Sequence, residues 1–145
     1  MADMKVRVSA QSENATKTLV KARNFEIVID EPAELGGTND GPNPVEYVLG
    51  AFAGCLNVMA HVVAKELNIT LRGIKIDISG PLNPARLFGQ SFEERAGFKE
   101  ISVVLKPDTD ADDATLEKWA KAIEDRCPVS DNLQHTTPVS VSIRK

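Results

Sequence analysis

The chain has 145 residues, 42% of them hydrophobic and 26% charged, with a formal net charge of −4. That length suits one domain with a single core, here taken as residues 1–145, and the composition is ordinary for a soluble globular protein. The acidic balance, the absence of any basic run and an aromatic share of 5% argue against nucleic acid or an anionic membrane as partner.

Met1-Ala2-Asp3-Met4-Lys5 lacks the apolar region of an export signal, and no segment reaches eighteen uninterrupted apolar residues. A cytoplasmic protein is therefore expected, with Cys55 and Cys127 resting as thiols. Met4 to Ser9 alternates as a half-buried strand. Gln11 to Asn14 is a turn, and Lys17 to Ala22 reads as a second strand, so the first pair forms a hairpin. Asn24 breaks it, and Phe25 to Asp30 is a third strand. Glu31 to Pro42 carries Gly36-Gly37 and Gly41-Pro42 and reads as a loop.

A long helix then runs from Asn43 to Asn68. Asn43 suits the cap, Pro44 the first helical position, and Glu46 the first turn, where a negative charge meets the helix dipole. Val48, Leu49, Phe52, Leu56, Val58, Met59, Val62, Val63 and Leu67 make it apolar on nearly every side, which predicts burial all round. At 1.5 Å per residue it is roughly 36 Å long, about the full diameter of so small a domain. Gly50 and Gly54 each cost on the order of 1 kcal/mol relative to alanine inside a helix, and close approach of another backbone is the expected return.

Ile74 to Ser79 alternates as a fourth strand, ended by Gly80-Pro81. Leu82 to Gly97 has no firm period and reads as a surface excursion. Phe98 to Leu105 is a fifth strand. Ala114 to Arg126 is a second helix with Leu116, Trp119, Ala120 and Ile123 on one face, ended at Cys127 because Pro128 disfavours a helical residue before it. Val139 to Ile143 is a closing strand. The order β-β-β-α-β-β-α-β, without internal repeat, predicts an α+β protein whose helices cover a curved antiparallel sheet.

There is no Cys-x-x-Cys, no Walker loop, no dinucleotide glycine fingerprint and no Gly-x-Ser-x-Gly; two cysteines and two histidines at unrelated spacings make a poor zinc site. No metal or other cofactor is expected. His61 lies about 240° around the helix from Cys55, so it is a weak base for that thiol and reads as a surface or packing histidine. Cys55, in an apolar helix, reads either as an inert small hydrophobe or as a buried nucleophile. Cys127 ends a helix among polar residues. Arg126 beside it favours a thiolate, while the helix C-terminus opposes one.

Asn43-Pro44-x-Glu46 with Ala53-Gly54-Cys55, together with Cys127-Pro128-Val129-Ser130, resembles the OsmC/Ohr family of osmotically inducible and organic-hydroperoxide-resistance proteins. Leu35-Gly36-Gly37, Gly97-Phe98-Lys99-Glu100-Ile101 and Thr137-Pro138-Val139 match in order, so the resemblance extends over residues 5–144. It implies an OsmC-like fold, an intertwined homodimer with two central helices packed between curved sheets, and active sites at the dimer interface. It further implies that Cys55 attacks the peroxide O–O bond and becomes a sulfenic acid. Cys127 then condenses with that acid to a disulfide, and an external dithiol, often a lipoyl-bearing protein, reduces it.

Two departures matter. The family's characterised branches carry a glutamate ten residues before the helix cysteine, where this chain has Val45; Glu46 is about 180° away from Cys55. Their activating arginine has no clear equivalent either. Lys17 and Arg23 are the nearest candidates, and Arg7 and Arg126 fit less well. The expectation is therefore a less-characterised OsmC-like branch, with a cysteine peroxidase activity on organic hydroperoxides that is weaker or redirected. The alternatives are a dimer that binds an apolar ligand with its thiols idle, and a stress-linked dimer without a site of its own.

Overall fold

The computed structural model describes residues 1–145 and divides them into two compact units, Met1–Gly50 and Ala51–Lys145. The first unit is a three-stranded antiparallel meander of β1 (Ser9–Ser12), β2 (Thr18–Ala22) and β3 (Phe25–Ile29). Asn14 builds the first turn: its side-chain oxygen accepts from the backbone N–H of Thr16 at 2.9 Å and of Lys17 at 2.7 Å. This turn pairs Ser12 with Thr18 and Ser9 with Lys21. That register corrects the first strand. Met4 and Val6 would run past the end of β2, which stops at the Arg23 turn, and Val8 stands opposite the last residue of β2; all three lie outside β1 and are exposed. Arg23 takes a left-handed φ of 56° there.

The loop after β3 is pinned by Asp30, which is fully buried. Its carboxylate accepts from the Thr38 hydroxyl at 2.5 Å, the Glu31 N–H at 2.8 Å and the Asp40 N–H at 3.1 Å. These bonds, led by that from Thr38, hold its carboxyl well below the usual range. Gly37 passes so close to the Glu31 carbonyl that any Cβ would collide with it. A short 3-10 turn, Ala33–Leu35, lies inside this loop. Asn43 and Glu46 then cap α1 (Pro44–Glu66) reciprocally: the Glu46 N–H donates to Asn43 Oδ1 at 2.9 Å, and the Asn43 N–H to Glu46 Oε2 at 2.8 Å.

The second unit holds most of the core. Phe52, Leu56, Ala60, Val63 and Ala64 form the buried stripe of α1. They cluster with Trp119 and Ile123 of α2 (Asp113–Arg126) and with Cys127. A two-stranded antiparallel sheet, β4 (Gly73–Ser79) and β5 (Ser102–Asp108), packs on this cluster through Ile74, Ile76, Ile78, Val103 and Leu105, one face of a period-two pattern. Asp112 caps α2 by accepting from the Thr115 N–H at 2.8 Å, and the Trp119 indole N–H donates to the Ala60 carbonyl at 2.9 Å. α1 meets the length and hydropathy of a membrane span, but its core-facing stripe is buried against these partners.

Three expectations are not met by a single chain. Within one chain α1 is not buried all round: Val45, Val48, Val58 and Val62 are 36% to 59% exposed. A Cβ built on Gly50 or Gly54 meets nothing within 4 Å, so no backbone of this chain approaches there. Residues 139–143 keep their alternation but form no strand, because no strand edge of the chain pairs with them; Val139, Val141 and Ile143 are exposed. Ahead of them stands an unexpected helix, α3 (Pro128–Gln134).

Candidate active site

Cys55 comes from α1, on the border between its buried and exposed stripes, and is itself partly exposed. Cys127 joins α2 to α3 and is 1% exposed. The two side chains meet: the Cys127 thiol donates to Cys55 Sγ with the sulfurs 2.9 Å apart. Both are free thiols, and the separation exceeds the roughly 2.05 Å of a disulfide.

Pro128 explains the corner. It forces Cys127 into an extended conformation, φ −78° and ψ 114°, which ends α2, and it then occupies the first position of α3. Cys127 is therefore the C-cap of one helix and the N-cap of the next, and its sulfur accepts the Ser130 N–H at 3.4 Å. Opposition from a helix C-terminus is thus only half of the local field. Burial pushes the Cys127 thiol above its ordinary value, the contact with Cys55 adds to that, and the Ser130 N–H opposes it. Ser130 is buried too, its hydroxyl accepting from Gln134 Nε2 at 2.7 Å.

Arg126 does not serve the thiol beside it. Its guanidinium grips both carboxylate oxygens of Glu66, at 2.6 Å and 3.0 Å. His61 turns its Nδ1 to the Asn57 carbonyl one turn back and lies exposed. Of the remaining candidates, Arg7 lies exposed ahead of β1, and Glu46, Lys17 and Arg23 are engaged within residues 1–50. Glu46 closes the α1 capping box. Lys17 pairs with Asp40 at 3.0 Å and Glu13 at 3.9 Å, and the Asp40 contact raises its pKa. Arg23 lies over the Phe25 ring, 5.0 Å from its centroid.

Sequence reading missed the bond from the Ser130 N–H to Cys127 Sγ and the bond from the Trp119 indole to the Ala60 carbonyl. The signal for α3 was present: a proline following a capping residue, with Asp131 in the first turn. Chemically, the site offers a reachable thiol with a second, enclosed thiol in contact. Two thiols in contact are the arrangement that dithiol–disulfide interconversion requires.

The family model for OsmC-like protein matches residues 37–142. The uncharacterised protein YmaD of Bacillus subtilis (strain 168) is 28% identical over 116 residues, 79% of this chain and 75% of YmaD. The crystal structure of an OsmC-like protein from Mycoplasma pneumoniae is similar with a TM-score of 0.79 at 19% identity, over 92% of this chain and 89% of that one. The organic hydroperoxide resistance protein OhrB of Bacillus subtilis is similar with a TM-score of 0.56 at 24% identity, over 88% of this chain and 89% of OhrB. These two likenesses establish a shared fold.

Proposed function

The chain belongs to the OsmC-like family, and from that membership we propose that it is a two-cysteine peroxidase that reduces organic hydroperoxides in oxidative-stress defence. The observation that carries this reading is the 2.9 Å contact between Cys55 and Cys127, residues far apart in sequence. The Cys55 thiolate attacks the terminal peroxide oxygen, the O–O bond breaks, and an alkoxide leaves and takes up a proton. Cys55 is then a sulfenic acid. The Cys127 sulfur attacks it, water departs, and the disulfide forms. An external dithiol returns both residues to thiols. The apolar surroundings, among them Phe52, Met59, Trp119 and Val129, favour an organic over an inorganic peroxide.

The working form in this reading is a homodimer, placed in the cytoplasm. The exposed apolar stripe of α1, the bare faces of Gly50 and Gly54, and two unpaired alternating segments support it. The family match runs across residue 50, which supports treating residues 1–145 as one domain.

One observation favours a second reading, an OsmC-like dimer that holds an apolar ligand with weak or no peroxidase activity. Glu46, Lys17 and Arg23 already have partners other than a thiol.

Mass spectrometry of the protein before and after one equivalent of cumene hydroperoxide separates the two. The peroxidase reading expects loss of two protons per chain, mapped to a Cys55–Cys127 link, and no turnover in Cys55→Ser with the fold intact. Two unreacted thiols, or equal turnover in Cys55→Ser, would overturn it in favour of the second.

A further inference from the structure

We propose that in the reductive half-cycle an external dithiol attacks Sγ of Cys55 and expels Cys127, never the reverse. This rests on the peroxidase reading and adds to it the direction in which the disulfide opens.

Thiol–disulfide exchange requires the incoming sulfur to reach the one it attacks, so access decides between two sulfurs of one bond. Within one chain Cys127 is 1% exposed, closed off by that chain's own core, whereas Cys55 is partly exposed. The surroundings of Cys127 are also held in place. Trp119 donates to the Ala60 carbonyl at 2.9 Å, Arg126 grips Glu66 at 2.6 Å and 3.0 Å, and the Ser130 N–H meets Cys127 Sγ at 3.4 Å. Cys127 belongs to the buried cluster of its own chain, whereas Cys55 packs against that cluster from outside.

The first thiol of the reductant loses its proton and bonds to Cys55 Sγ. The Cys55–Cys127 bond breaks, its electron pair goes to Cys127 Sγ, and that sulfur takes up a proton. The second thiol of the reductant then attacks the first one's sulfur and releases Cys55 as a thiolate. One dithiol becomes a disulfide, and both cysteines are reduced. Burial keeps the released Cys127 protonated near neutral pH, which slows its return onto the mixed disulfide.

The test forms the disulfide with diamide rather than peroxide, so its readout does not depend on peroxidase activity. The oxidised protein is mixed with glutathione, quenched in acid at successive early times, alkylated with N-ethylmaleimide and mapped by peptide mass spectrometry. The expected product has glutathione on Cys55 and the maleimide on Cys127, in about tenfold excess or more over its isomer at the earliest times. The isomer in excess, or the two in equal amounts, overturns the proposal and leaves the peroxidase reading standing. Failure of diamide to link Cys55 to Cys127 at all overturns both.

Discussion

Burial sets the Cys127 thiol above its ordinary value of 9.0, with the contact to Cys55 adding to the shift and the Ser130 N–H opposing it. The sign of the consequence follows directly. A raised pKa leaves less thiolate near neutral pH, and the thiolate share rises about tenfold per pH unit until that pKa is reached. The thiolate is the form that attacks a sulfenic acid. Disulfide formation from the Cys55 sulfenic acid is therefore expected to accelerate as pH rises from about 7 to about 9. In competition with dimedone, the dimedone-labelled share of Cys55 falls over that range. A label that stays constant or grows with pH would contradict the assignment of Cys127 as the resolving thiol.

At the scale of elements, α2 matters because it carries Cys127 to α1. The indole of Trp119 is the buried link, 2% exposed, with its N–H on the Ala60 carbonyl. Trp119→Phe removes that hydrogen bond and leaves a small void. A loss of about 2 kcal/mol of unfolding free energy is expected by denaturant titration, together with slower linking of Cys55 to Cys127. Unchanged stability would mean that the indole bond contributes nothing net. The elements also mark how far sequence reasoning reached. α1 was legible at its start because Asn43 and Glu46 form a local capping pair, and β4 was legible because Ile74, Ile76 and Ile78 keep strict alternation. α3 was missed because Pro128 was read only as the end of what came before it. β1 was misplaced because its register is set by the Asn14 turn and by the length of β2, and not by its own pattern. The cysteine pair was legible by resemblance alone. No local rule relates residues 72 positions apart, and their contact exists only once α2 has packed.

For the whole molecule, the exposed stripe of α1 is the decisive feature. Val48, Val58 and Val62 lie on it, with Cys55 at its border and no side chain on Gly50 or Gly54 to keep a neighbour away. The sequence announced a helix apolar on every side; one chain covers a single side of it. Under the proposed homodimer, a charge placed in the stripe is expected to keep the chains apart. Val58→Asp would run as a monomer in sedimentation or light scattering while retaining the α2 contacts, and a Val58→Asp protein that stays dimeric would move the interface elsewhere. Met4, Val6 and Val8 at one end, and Val139, Val141 and Ile143 at the other, leave two further apolar stretches without a neighbouring strand. In the proposed homodimer, where each chain completes its packing against a second copy, dilution acts as a denaturant. Mass action then makes the melting temperature climb with protein concentration, and the cell sets the protein's durability by how much of it is made.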